Sequence, residues 1–189
     1  MTTKSPRDRA LVVFESMFGN TEQIAHAVAN GLEREGLDVT RCEVSDAPDE
    51  LPADIALLVV GAPTHAFSLS RPSTREDAVR QGAPQARSQV GLREWLTAVR
   101  LAPGTTPPVF AAFDTRVPKV RHLPMAAARS AAKLAEHRGL GPVTRPVYFL
   151  VDDTRGPLVD GEVERALDWG AEVARSLSAN AAAQTATSG

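Results

Sequence analysis

Two uncharged apolar runs limit what this chain can fold into: Ala10-Leu11-Val12-Val13-Phe14 and Ile55-Ala56-Leu57-Leu58-Val59-Val60-Gly61. Neither alternates with polar residues, so neither reads as a strand with one wet face. Both read as strands covered on both sides, the pattern of a parallel sheet between helix layers. The first run, taken to Glu15, passes directly into Ser16-Met17-Phe18-Gly19-Asn20-Thr21. A helix follows over Thr21 to Glu35, with Ile24, Val28, Gly31 and Leu32 on one face and Gly36 as its stop.

Such a strand, turn and helix points backbone N–H groups and the positive end of a helix dipole at one spot, which suits a phosphate. Ser16 and Thr21 bring hydroxyls, Asn20 an amide, and Gly19 lets the backbone approach closely. Each hydrogen bond to a charged group contributes about 1.5–3 kcal/mol, so four or five hold a dianion without a cationic side chain. The turn contains no lysine, which separates it from the loops of nucleotide triphosphatases and points to a cofactor that stays bound. The competing role for Asn20 or Thr21 is simple capping of the helix. Capping alone does not call for Gly19 or for a second hydroxyl at the strand end.

Further strands are expected at Val39–Val44, Pro108–Phe113 and Pro146–Val151, and helices at Leu92–Arg100, Pro124–Arg138 and Glu162–Leu177. Asp46–Leu51 reads as one helical turn. Residues 66–90 are polar with little periodicity and read as a long inserted loop. Residues 1–9 read as a flexible lead-in and 179–189 as a disordered tail, leaving one α/β domain over 10–178. Strand and helix alternate, which requires a parallel sheet with right-handed crossovers. Ligands of such sheets sit beyond the carboxyl ends of the strands. Ser16–Thr21, Pro63–Ser68 and Asp114–Val117 leave the ends of the first, third and fourth strands and are expected to converge on one crevice.

Composition excludes several classes. The formal net charge of −2 does not favour nucleic acid, and no run of eighteen apolar residues marks a membrane span. Cys42, the single cysteine, rules out an internal disulfide and makes the cytoplasm the default location. His26, His122 and His137 lack metal-ligand spacing, Gly139-Leu140-Gly141 reads as a turn, and Asp152-Asp153 as a turn and helix entry. Trp95 and Trp169 read as core anchors. No residue is assigned as a catalytic acid, base or nucleophile, and none as a metal ligand.

At these three loops the chain resembles the flavodoxin family. Ser16, Gly19, Asn20 and Thr21 match the family's first loop, hydroxyl-x-hydroxyl-Gly-Asn-Thr, with Phe18 in place of the middle hydroxyl. Gly61-Ala62-Pro63-Thr64-His65-Ala66-Phe67 resembles its Gly-x-Pro-Thr-Trp segment, with His65 where tryptophan is usual. Phe113-Asp114-Thr115-Arg116 stands at its Gly-Asp segment, without the tyrosine that follows there. Ser70–Arg75 and Phe113–Arg116 are similar to segments of a subgroup of flavodoxin-like proteins.

The resemblance implies a three-layer sandwich with a five-stranded parallel sheet in the order 2-1-3-4-5. It implies FMN as cofactor, held by Ser16, Met17, Phe18, Gly19, Asn20 and Thr21 at the phosphate. Pro63, Thr64, His65, Ala66 and Phe67 would meet the ring, and Phe113, Asp114, Thr115 and Arg116 its pyrimidine edge. Electron transfer with a redox partner protein is the function implied, and an FMN-dependent reductase of quinones or other small molecules using NAD(P)H is the alternative. Two roles stay open for Arg116: a cation beside the ring, or a surface partner of Asp114. Six arginines between Arg71 and Arg100 could dock an acidic partner, reach the phosphate of NADPH, or be solvated.

Overall fold

The structure is a computed structural model that describes residues 8–65, 68–120 and 126–187 of the 189-residue chain. Five strands form one parallel sheet: β1 (Arg9–Phe14), β2 (Asp38–Glu43), β3 (Ile55–Pro63), β4 (Val109–Arg116) and β5 (Val147–Leu150), in the spatial order β2-β1-β3-β4-β5. Helices α1 (Asn20–Arg34) and α5 (Glu162–Thr187) cover one face and α3 (Leu92–Ala98) and α4 (Ala127–His137) the other, while α2 (Pro72–Arg80) packs on Met17 beyond the end of β1. The α/β sandwich expected from the alternation is thus present, with its strands in the expected order.

The continuous apolar runs serve both faces because successive side chains of a strand point opposite ways. Ala10, Val12, Phe14, Leu57 and Val59 pack with Ile24, Val28 and Leu32 of α1 and with Ala166, Trp169 and Val173 of α5. Leu11, Val13, Leu58 and Val60 pack on the other face with Leu92, Trp95 and Leu96 of α3 and Ala127, Ala131 and Ala135 of α4. Both tryptophans are core anchors, and the Trp95 indole N–H donates to the Pro48 carbonyl at 3.0 Å.

Four local expectations are corrected. Residues 66–90 are not a plain loop: they hold α2 and a 3-10 turn at Gln85–Ser88. The buried residues of α2 are Arg75 and Ala78, so its inward face carries an arginine and escapes a hydrophobic count. Asp46–Leu51 forms no helical turn of its own; a 3-10 turn covers Val44–Asp46, and Glu50–Leu51 pairs in parallel with Arg100–Leu101. Arg9, taken for part of the lead-in, opens β1, with its guanidinium on Asp54 at 2.5 Å. Helix α5 runs on through Thr187, because the alanine-rich stretch after Leu177 has high helix propensity and no breaker.

Candidate functional site

The turn from β1 into α1 has the features of an anion cradle. Gly19 takes φ 90°, a left-handed conformation that suits glycine. The Ser16 hydroxyl oxygen accepts from the N–H groups of Gly19 at 3.1 Å and Glu22 at 3.3 Å, which leaves its own proton free to donate outward. The first-turn N–H groups of Asn20 and Thr21 have no partner among the described residues, as expected at a helix start. Thr21 Oγ1 and Thr115 Oγ1 share a hydrogen bond of 2.8 Å, tying the first loop to the end of β4. Met17 is buried and packs with Ala78 and Ala83, and Phe18 lies against the same cluster.

The three sequence-selected loops do converge. A cavity of about 210 Å³ is lined by Ser16, Met17, Phe18, Asn20 and Thr21, by Pro63, Thr64 and His65, and by Thr115 and Arg116. Gly19 does not line it but shapes the turn beside it. Val117, the last residue of the third expected segment, also lines it; Val151 and Thr154 complete the wall and were not selected from the sequence. Val151 and Thr154 leave the carboxyl end of β5, so the rule that picked the other loops would also have picked this one. Gly156 of that loop lies against Asn20, where a Cβ would fall 2.9 Å from the side-chain nitrogen.

In the second loop, Thr64 N–H donates to the Thr115 carbonyl at 2.9 Å, and Thr64 Oγ1 accepts from Ala127 N–H at 3.1 Å. Thr64 therefore also helps cap α4 while keeping its hydroxyl proton. The His65 main chain makes two hydrogen bonds of 2.9 Å with Ser68. Its side-chain Nε2 is buried and has no partner among the described residues. Burial, helped by the positive charge of Arg75, lowers the His65 pKa below its ordinary value and favours the neutral imidazole. Ala66 and Phe67 lie outside the described residues, as does His122.

The third loop divides its residues between two sides of the sheet. Phe113 is not at the site; it points into the core, edge-on to Phe149 at 5.9 Å and to Trp169 at 6.0 Å. Asp114 lies behind the wall, fully buried, and accepts from Arg116 Nε and Nη2 at 2.6 Å each and from Ala128 N–H at 3.1 Å. Of the two roles open for Arg116, the pairing with Asp114 is present, but in the buried wall of the cavity rather than on the surface. The Arg116 guanidinium also stacks 4.5 Å above the Tyr148 ring.

Most arginines of the inserted segment are engaged at home. Arg75 donates to Ser70 at 2.9 Å and Glu94 at 3.2 Å, and Arg93 to Ser68 at 2.9 Å and the Leu69 carbonyl at 3.0 Å. Arg80 pairs with Asp77, and Arg100 with Glu50 at 3.7 Å. Among the described residues, no group of three or more His, Cys, Asp and Glu is placed to hold a metal, and no helix is long and apolar enough to cross a membrane.

The donor set fits a phosphate-bearing heteroaromatic ligand. Ser16, Asn20 and Thr21, with a hydroxyl proton and two helix-start amides unpartnered among the described residues, line this crevice, and Thr64 brings a second hydroxyl proton to it. Comparison with curated protein sequences returns no match. Among solved structures, the chain is similar to a flavodoxin from the domain Archaea (19% identity, 90% of this chain and 99% of that one, TM-score 0.57). It is similar to the flavodoxin of Streptococcus pneumoniae TIGR4 (18% identity, 91% and 99%, TM-score 0.58). It is also similar to a flavodoxin, WrbA-like protein from Agrobacterium tumefaciens (20% identity, 90% and 97%, TM-score 0.54). The chain thus has the flavodoxin fold, and residues 12–74, which hold its first and second loops, match the flavodoxin family.

Proposed function

We propose that this protein binds FMN and works as a flavodoxin-like electron carrier for a partner protein. The observation that carries this reading is the turn at Ser16–Thr21. Its left-handed Gly19 and the free amides of Asn20 and Thr21 open onto the crevice that Thr64, His65 and Arg116 share. When bound, the flavin supplies the one- and two-electron chemistry, and the protein supplies binding, orientation and electrostatics. Ser16, Asn20 and Thr21 would hold the phosphate, and Thr64 would orient the ring through its hydroxyl proton, with His65 as part of the wall beside it. Asp114 and Arg116 present a compensated pair rather than a lone charge at the crevice wall. No side chain is required to act as acid, base or nucleophile.

The carrier is favoured over an NAD(P)H-dependent reductase by the state of the inserted arginines. Arg75, Arg87 and Arg93 are turned onto the protein's own acceptors, which leaves them poorly placed to grip the phosphate of a dinucleotide. The test is the visible spectrum and released cofactor of the purified protein, followed by mixing with NADPH in a stopped-flow instrument. A yellow protein that releases FMN and bleaches with NADPH only when a reductase protein is added supports the carrier. Fast direct bleaching assigns it to the reductases. A colourless protein that takes up no FMN contradicts both.

A further inference from the structure

We propose that the inserted segment is a strap for the phosphate-binding turn, and that Arg87 is its positioning residue. This rests on the reading that the turn holds a phosphate.

Three consecutive residues leading into the turn are held by the insert and by the start of α3, the helix that follows it. Glu15, fully buried at the end of β1, accepts from Leu92 N–H at 2.8 Å. The Ser16 carbonyl accepts from Arg87 Nη1 at 3.0 Å. Met17 packs on Ala78 and Ala83. The strap is anchored in turn by buried Arg75 on Ser70 and Glu94. Its contacts are therefore with the cradle as well as with itself.

Arg87 does a second thing at the same place. Its Nη2 donates to Glu22 in the first turn of α1 at 2.7 Å, and its Nε lies 4.0 Å from Glu43 at the end of β2. Two carboxylates thus flank a turn read as the seat of a dianion, and one guanidinium compensates both. The guanidinium fork suits this task because it can meet a carbonyl and a carboxylate together. Removing it would free the Ser16 carbonyl and leave Glu22 and Glu43 to repel the phosphate.

The test compares Arg87→Met with the native protein in fluorescence titrations of FMN and of riboflavin, which lacks the phosphate. A strap acting at the phosphate predicts a loss of about tenfold or more for FMN and less than about twofold for riboflavin. Equal losses for both flavins, or no loss for either, overturn the proposal. If Arg87→Met does not fold, Arg87→Lys carries the same comparison: it keeps the charge without the fork, and a smaller loss confined to FMN is expected. A native protein that binds neither flavin contradicts the proposed function, and the strap is then read in the ligand-free protein. Faster hydrogen exchange at the Gly19 and Glu22 amides in the variant supports it, and unchanged exchange overturns it.

Discussion

Arg116 and Asp114 pair at 2.6 Å, and side-chain exposures of 6% and 0% make this pair unlike a surface salt bridge. Removing one partner leaves the other buried and uncompensated, at a cost of about 3–5 kcal/mol. Arg116→Ala is therefore expected to lose about 3 kcal/mol in urea unfolding. Adding Asp114→Asn should recover a large part of the loss, because the amide oxygen still accepts from Ala128 while the stranded charge is gone. A single and a double variant of equal stability would contradict this. His65 gives a pH prediction. Its folded pKa lies below the ordinary value of about 6.5, so under acid the unfolded chain takes up the proton first. The stability tied to neutral His65 is present above pH 6.5 and is lost as pH falls from there through the lower folded value. His65→Leu should flatten the stability profile in that window, and an unchanged slope would contradict the burial argument.

Helices α1 and α5 approach closely enough that glycine is required on both. A Cβ at Gly31 would run into the Leu167 carbonyl and lie 2.9 Å from Ala171 N, and one at Gly170 would meet the Val28 carbonyl. Alanine would favour each helix by about 1 kcal/mol. Pushing two backbones apart in a packed core costs about 1–3 kcal/mol. Gly170→Ala is expected to lower the melting temperature despite its better helix propensity; a rise would show that the helices can slide. Gly31 was visible in the sequence on the apolar face of α1, while Gly170, between Trp169 and Ala171, gave no sign of its contact. The same contrast separates the other elements. β1 and β3 were legible because every residue facing either helix layer is apolar. Helix α2 was not, because its inward residues are Arg75 and Ala78, and the value of a buried arginine depends on Ser70 and Glu94 being brought to it.

For the whole molecule, the position of the crevice followed from topology, and three of its four contributing loops were recognised by the polar, turn-forming residues after apolar strands. Which side chains reach the crevice did not follow. Phe113 and Asp114 fall behind the wall because each sits two residues deeper in the strand than Thr115 and Arg116, which share their faces nearer its carboxyl end. The partners of Arg116 and Arg87 were equally hidden, since a charge run in a sequence does not show which acceptors the fold will bring near it. The most direct test of the account is to follow the amide resonances of Asn20 and Thr21 while FMN is added to the ligand-free protein. Marked downfield shifts at these two amides, saturating with the flavin, are the predicted result. Flavin binding that leaves both amides unmoved, or no binding at all, would contradict a phosphate seated in this turn.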